Sequence, residues 1–409
     1  MEINRETADF IEQHANDDVR QLALMGRRFP HLDMPFVLDQ VAGRQMARQK
    51  LPTWAATPGI VYPPHLSMEQ CSSEETARYK VMLATRLIAE SKQENRGGTS
   101  TTFVDLTGGF GVDFSFMGKD FDACTYVEQQ ERLCQIAQNN FPRLGLKHAH
   151  VVHADGIEFL HAMERVDMIY LDPARRDEKG GKTVLINDCT PNILSIQELL
   201  MSKARYVIIK LSPMLHWQQA VDEINKNGGY VREVHIVAVK NECKELLLVL
   251  GEKKDGQPIG IYCVNNSDVF AYDMSEANIP QRPVQESIAP GMFLYEPNVA
   301  LMKAGCFAQI TNRWQVDTIA HNSHLFVSAD EIADFSGRQF KILAISSFNR
   351  KELKQHLQGI AQANITTRNF PMSVEELRKK LKIKEGGQTY LFATTTQNNE
   401  KVLLVCERM

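Results

Sequence analysis

Among the eight cysteines of this 409-residue chain no two form a CxxC pair, so neither a zinc ribbon nor a disulfide framework is indicated. No apolar run approaches the ~20 residues that cross a bilayer. The polar start, Met1-Glu-Ile-Asn-Arg-Glu6, lacks the apolar stretch of a signal peptide. These absences predict a cytoplasmic protein with reduced thiols. His153, His161 and His216 show no ligand spacing, so no metal is expected. Positive charge is not in excess: 46 Lys and Arg face 50 Asp and Glu, a formal charge of -4. The molecule as a whole therefore has no polyanion-binding character, and any nucleic-acid surface must come from local clustering. No internal repeat or low-complexity tract is present.

Such a cluster exists. Residues 336–385 carry eleven Lys and Arg against four Asp and Glu, densest at Arg378-Lys-Lys380, Lys382 and Lys384. A solvated helix face explains them equally, but phosphate contacts in an acidic protein would have to come from here. Hydrophobic content of 43% and charged content of 23% are those of an ordinary globular protein. The length suits two or three domains.

Residues 1–95 read as a helical region, with Pro52, Pro58 and Pro63-Pro64 as breaks. Ser72-Ser-Glu-Glu75 has capping-box spacing and opens a helix to about Ala89. Over 96–252 strands and helices alternate. Strands are predicted at 102–106, 122–128, 148–153, 166–171, 204–211, 231–240 and 244–250, with helices such as Gln130–Phe141 and Asn192–Met201 between them. That pattern predicts a mostly parallel α/β sheet. Only about four residues join the last two strands, too few for a parallel crossover, so they must form an antiparallel hairpin. Residues 251–285 read as a loop-rich bridge. Beyond it small α+β units are predicted: strand Phe340–Ser346, helix Arg350–Ala363, strand Ile365–Phe370, a Ser373–Leu381 helix capped by Ser373 and Glu376, and a hairpin of Thr389–Thr395 with Lys401–Cys406.

Four elements fall at the carboxyl ends of successive strands, the edge where open α/β sheets bind ligands. The first is Asp105-Leu-Thr-Gly-Gly-Phe-Gly111, a strand–loop–helix junction that continues to Asp113. Its Gly108, Gly109 and Gly111 let backbone approach a ligand, and Thr107 lies among them. Glu128 ends the second strand, 23 residues after Asp105, where an acid can accept from both ribose hydroxyls. Asp155-Gly156 ends the third; its carboxylate can accept from an adenine amino group or cap the following helix. Asp172-Pro-Ala-Arg-Arg176 ends the fourth. Pro173 fixes the backbone so that the flanking carbonyl and the Asp172 carboxylate aim into the site, and Arg175 and Arg176 suit phosphate or a stacked base. Cys243, in Asn241-Glu-Cys-Lys-Glu245, is placed in a loop overhanging the substrate side, or is a structural thiol.

In these elements the chain resembles class I S-adenosylmethionine-dependent methyltransferases. Asp105–Gly111, Glu128, Asp155 and Asp172-Pro173 match their four motifs in order, and the closing hairpin matches their antiparallel seventh strand. More narrowly, it resembles a bacterial family that joins this domain to a C-terminal THUMP-like domain. The stretches that carry this are Leu66-Ser-Met-Glu-Gln-Cys-Ser-Ser-Glu74, Asp172–Arg176, Leu294-Tyr-Glu-Pro-Asn298 and Arg368-Asn-Phe-Pro-Met-Ser373. The resemblance implies a seven-stranded Rossmann-like sheet over 96–252. It also implies a linker and ferredoxin-like unit over 253–335, and a THUMP-like RNA-binding domain over 336–409. The implied cofactor is S-adenosyl-L-methionine, and the implied partner is a tRNA or rRNA, bound in part by Lys379, Lys380 and Lys382. Asp172, Pro173 and Arg175 are the implied catalytic group. Arg175 stands where amino-methylating relatives carry an aromatic residue. Lys210-Leu-Ser-Pro213 stands where pyrimidine-C5 enzymes need a cysteine, which favours a base nitrogen. Two other readings remain open on the residues: an NAD-type oxidoreductase, which leaves Asp155, Asp172-Pro173 and the hairpin unexplained, and a non-catalytic RNA-binding protein with a decayed cofactor site.

Overall fold

The structure, a computed structural model, describes residues 4–93, 100–175, 185–226, 228, 230–252, 256–282 and 287–409. The chain divides into two compact units, Met1–Val234 with Lys244–Gln257, and His235–Cys243 with Pro258–Met409.

The first unit opens with α1 (Arg5–Gln13), α2 (Val19–Met25), α3 (Met34–Lys50), α4 (Pro52–Ala56), α5 (His65–Gln70) and α6 (Glu74–Gln93). The side chains of Asn4, Asp18 and Asp33 cap the first three by accepting backbone N–H bonds, and Pro52 occupies the first turn of α4. The cap of α6 falls one residue later than expected. Ser73 Oγ accepts from the Thr76 N–H (3.2 Å), while Ser72 Oγ donates to the Asp113 carboxylate (2.7 Å). These helices pack on the sheet: Trp54 is fully buried, its ring 4.7 Å from that of Phe110 in the glycine loop.

Strands β1 (Thr102–Asp105), β2 (Ala123–Glu128), β3 (Ala149–His153), β4 (Val166–Leu171), β7 (Ala204–Leu211), β8 (Val231–Val239) and β9 (Glu242–Gly251) lie in the order β3-β2-β1-β4-β7-β9-β8. Between β4 and β7, the short β5 (Ala174–Arg175) and β6 (Cys189–Thr190) pair with each other. The pairs among β1, β2, β3, β4 and β7 are parallel, and β9 runs antiparallel to β7. Helices α7 (Val112–Met117), α8 (Glu131–Arg143), α9 (Gly156–Ala162), α10 (Ile193–Lys203) and α11 (Trp217–Asn225) connect them. The expected seven strands and closing hairpin are present, but the turn is tighter than expected. Lys240 and Asn241 alone form it, both left-handed (φ 51° and 59°), as a two-residue hairpin requires. Cys243 therefore lies on β9 and not in a loop.

The second unit shows that residues 251–285 are more than a bridge. They hold an antiparallel hairpin, β10 (Gly260–Asn265) and β11 (Asp268–Asp273). A second sheet follows from β12 (Phe293–Pro297), β13 (Asp317–Thr318), β14 (Phe326–Ser328), β15 (Gly337–Ser347), β16 (Asn364–Arg368), β17 (Thr389–Thr395) and β18 (Lys401–Arg408), in the order β13-β14-β12-β15-β18-β17-β16. The β16–β17 pair is parallel, and the β12–β14, β12–β15, β13–β14, β15–β18 and β17–β18 pairs are antiparallel. Four helices accompany it: α12 (Val299–Ala304), α13 (Phe307–Trp314), α14 (Arg350–His356) and α15 (Val374–Leu381). Helix α14 stops seven residues short of Ala363, and Gly359 follows with φ +83°. The Ser373–Glu376 capping box forms as the spacing predicts. Side chains of both sheet faces are buried: Leu294, Phe340 and Leu404 in one cluster, and Ile365, Leu391 and Leu403, packed with Leu377 of α15, in the other. Among the described residues no helix is long and apolar enough to cross a membrane.

Candidate active site

The carboxyl edge of the first sheet assembles from β1 outward. Asp105 is buried, and its Oδ1 accepts from the Thr107 N–H (2.9 Å), which starts the turn. Burial pushes its pKa well above the usual carboxylate range, against the Thr107 hydrogen bond. Gly108 sits on the Tyr126 ring so closely that a Cβ there would lie 2.3 Å from a ring carbon. The Tyr126 hydroxyl donates to the Gly109 carbonyl, and Gly111 turns left-handed (φ +83°) to start α7. The loop is thus held from below, with its backbone toward the strand ends.

Glu128, 7% exposed, braces the same loop. Its Oε2 accepts from the Gly109 N–H and its Oε1 from the Gln130 N–H, both at 2.8 Å. A carboxylate offers about four acceptor positions, so each oxygen keeps one for a ligand hydroxyl. Asp155 caps α9: Oδ1 accepts from Ile157 and Glu158 N–H groups (2.8 and 3.1 Å). The capping reading is realised, on one oxygen. Gly156 is needed because a Cβ would meet the Leu106 carbonyl oxygen at 2.2 Å.

Asp172 follows β4 and ties two motifs together. Its N–H donates to Thr107 Oγ1 (2.7 Å), and its Oδ2 accepts from Lys210 Nζ on β7 (2.5 Å). The side chain remains 40% exposed. Pro173 is buried. The backbone of Arg175 belongs to β5, whereas its side chain and all of Arg176 lie outside the described residues.

Beneath Asp172 lies a charged network that sequence reasoning missed. Asp113, expected to face a cofactor, faces the interior. Its Oδ2 accepts from Ser72 Oγ and the Tyr170 hydroxyl, each 2.7 Å, and Oδ1 lies 3.2 Å from Lys80 Nζ. Lys80, 0% exposed, also contacts both oxygens of Glu245 on β9, at 2.6 and 2.7 Å. Lys210 Nζ is 3.9 Å from Asp113. Burial raises the pKa of Asp113, but Lys80 and Lys210 with the Tyr170 and Ser72 hydrogen bonds outweigh it and hold the group low. For Glu245 burial prevails over the two lysines and the pKa is raised. Burial lowers that of Lys210, yet Asp172, Asp113 and Glu245 keep it above the ordinary ammonium range. The site thus brings together two lysines and three acids, of which Asp172 alone reaches solvent appreciably. Ser72, Lys210 and Glu245 stand in stretches quoted above, but none was read as a site residue; Lys80 and Tyr170 carried no such signal.

The remaining expected residues are in the second unit. Cys243 shares its surroundings with Cys263 and Lys303. Lys379 and Lys380 are in the last turn of α15, Lys382 is its left-handed cap, and all three are exposed. Lys380 Nζ lies 5.5 Å from the ring centre of Phe348, which packs on Phe370. Two stretches far apart in sequence meet here: Glu296 Oε1 accepts from Arg368 (2.9 Å) and its Oε2 from Arg338 Nε (2.7 Å). Among the described residues no group of His, Cys, Asp and Glu is arranged to hold a metal ion.

A family described as THUMP domain-like matches residues 337–408, and one described as ferredoxin-like domain matches residues 293–335. No curated protein matches the chain. Among solved structures, a candidate methyltransferase from Porphyromonas gingivalis W83 is similar over 100% of both chains, at 30% identity and a TM-score of 0.83. A candidate class I S-adenosylmethionine-dependent methyltransferase from Listeria monocytogenes is 11% identical, covering 62% of this chain and 90% of its own, with a TM-score of 0.38. A T. thermophilus 16S rRNA methyltransferase, solved with AdoMet and guanosine, is 16% identical over 42% of this chain and 43% of its own, with a TM-score of 0.31. The last two are too distant to carry weight. The whole-chain relative, with the motifs and the C-terminal match, defines the class: this chain belongs to the class I S-adenosylmethionine-dependent methyltransferases that carry a THUMP-like C-terminal domain.

Proposed function

We propose that this chain uses S-adenosylmethionine to methylate RNA, a tRNA or an rRNA, at a base nitrogen rather than a pyrimidine C5. The residues fit that cofactor. Gly109 has room beside its backbone, Glu128 keeps an acceptor on each oxygen for the ribose hydroxyls, and Asp155 keeps Oδ2 for an adenine amino group. The bound cofactor supplies an activated methyl group, so the protein's task is orientation and exclusion of water.

The observation that carries the choice of atom is Asp172, half-exposed beside the glycine loop and held by Thr107 and Lys210. Its second oxygen is placed to accept from a substrate amino group and aim the nitrogen lone pair. C5 chemistry needs a thiolate nucleophile. The end of β7 offers Lys210 instead. Cys71, which senses the charges of Asp113 and Lys210, has its thiol pKa raised by burial, opposite to activation.

RNA as substrate rests on the THUMP domain-like match and the exposed Lys379, Lys380 and Lys382. We assign catalysis to 96–252, with the helices of 1–95 packed beside it, a ferredoxin-like unit to 253–335 and RNA capture to 336–409, in the cytoplasm.

Mass spectrometry of modified nucleosides, comparing RNA from cells with and without the gene, tests the reading. A methylated base nitrogen lost with the gene supports it, and a lost 5-methylpyrimidine or an unchanged profile refutes it. Calorimetry with S-adenosylmethionine and with NAD checks the cofactor. Asp172→Ala is expected to lower methyl transfer by roughly 10²-fold or more while leaving cofactor affinity unchanged.

A further inference from the structure

Lys210 is a buried cation that the mechanism above leaves without a task of its own. Its Nζ is 2.5 Å from Asp172 Oδ2 and 3.9 Å from Asp113 Oδ2, and its side chain is 13% exposed. Every element packed around it supplies a titratable group. Asp113 comes from α7, Tyr170 from β4, Glu245 from β9, Lys80 from α6, and Cys71 from the segment before α6; Asp105 on β1 faces Asp172. Acids outnumber lysines in this set, and Lys210 is the lysine in contact with the outermost acid, Asp172.

We propose that Lys210 is a positioning residue for methyl transfer: it clamps one oxygen of Asp172, leaving the other oxygen to receive a substrate N–H. This rests on the base-nitrogen reading above and adds to it the contact that aims Asp172 at the substrate nitrogen. The pair also fixes the rotamer. Thr107 anchors the Asp172 backbone and Lys210 its side chain, so the free oxygen has one direction. The pKa of Lys210, held above the ordinary range by Asp172, Asp113 and Glu245 against burial, keeps the clamp charged through neutral pH.

The test compares wild type with Lys210→Met, Lys210→Arg, Asp172→Asn and the Lys210→Met/Asp172→Asn double variant, all full length. Transfer of tritiated methyl from S-adenosylmethionine into total RNA from a gene-deleted strain is followed against pH. In parallel, ¹³C-carboxyl NMR on aspartate-labelled protein follows the Asp172 signal, assigned by its loss in Asp172→Asn. The expected result for Lys210→Met is a kcat lower by roughly 10–100-fold, an acid limb moved to higher pH, and a matching move of the Asp172 NMR midpoint. S-adenosylmethionine affinity should stay within about twofold, Lys210→Arg should restore the acid limb, and the double variant should be no slower than Asp172→Asn alone.

An acid limb and NMR midpoint unmoved in Lys210→Met overturn the proposal, as does a double variant slower than Asp172→Asn in proportion to both single losses. If Lys210→Met does not fold, the decision falls to Lys210→Arg, whose unrestored rate with intact fold and cofactor binding overturns it. Failure of the RNA reading looks different: wild type transfers no label to RNA, while the NMR midpoint still moves with Lys210.

Discussion

Both units bury a carboxylate between two cations, and they do so in different ways. In the first, Asp113 and Glu245 share Lys80, which is 0% exposed, and Lys210, which is 13% exposed. In the second, Glu296 is 3% exposed, but Arg338 and Arg368 around it are 38% and 35% exposed. Lysine is a compact point charge that can serve several acceptors in a closed space, whereas arginine's planar fork grips one carboxylate while its far side meets water. The first arrangement is a sealed charge cluster with one opening, at Asp172. The second is a pin between two stretches of a sheet. Inward charge belongs to the unit with the strand-end acids, and outward charge to the unit with the lysine-rich helix.

The comparison breaks most visibly at Lys80. Lys80→Met leaves Glu245 and Asp113 short of their cation, and breaking a buried pair typically costs about 3–5 kcal/mol. Chemical denaturation should show it. The pH dependence has a definite sign. Asp113 has a depressed folded pKa, so its contribution is present above the unfolded value of 3.8 and lost as pH falls through the folded one. Without Lys80 that loss begins at higher pH.

Next comes the cofactor side of the same unit. Glu128→Ala should weaken S-adenosylmethionine binding by about 1.5–3 kcal/mol, the worth of hydrogen bonds to a charged acceptor. Equal affinities by calorimetry would remove Glu128 from the site. The pin in the second unit should matter less. Glu296→Gln keeps the shape, and two water-exposed arginines screen the lost charge, so about 1 kcal/mol of stability is expected.

The smallest effect on stability belongs to the exposed lysines. Charge reversal at Lys379, Lys380 and Lys382 should change it by no more than about 0.5 kcal/mol. Affinity for RNA should nevertheless fall, and its salt dependence should flatten by about 0.7–0.9 in slope per lost phosphate contact. An unchanged salt slope would return these residues to the role of a solvated helix face.

The strand ends were legible because each apolar run stops at a residue that cannot stay in it: Asp105, Glu128, Asp155, Asp172. The hairpin was legible from its short connection. Lys80 and Glu245 were not, because a lysine among helical polar residues, or an acid at a strand start, reads as solvent-facing until the fold pairs them across 165 positions. The β10–β11 hairpin was missed because it begins just after the charged Glu252-Lys-Lys-Asp255, which reads as loop. Cys243 was assigned to the wrong place by two residues of turn length: Lys240 and Asn241 accept left-handed backbone, so β9 starts at Glu242. The Ser72–Asp113 bond shows why the Leu66–Glu74 stretch and the glycine loop belong to one compact unit.

The glycine loop has a further consequence. Tyr126 packs beneath Gly108 and bonds the Gly109 carbonyl, Glu128 takes the Gly109 N–H, and the Gly108 N–H reaches the Val127 carbonyl at 2.9 Å. The backbone that would greet a nucleoside is already fastened to β2 at several points. Its conformational entropy is lost when the protein folds and not when the ligand arrives, so a cofactor meets a rigid surface instead of a loop it must order. The amides of Gly108 and Gly109 should therefore exchange slowly with deuterated solvent in the ligand-free protein, on the timescale of the strands and not of the loops.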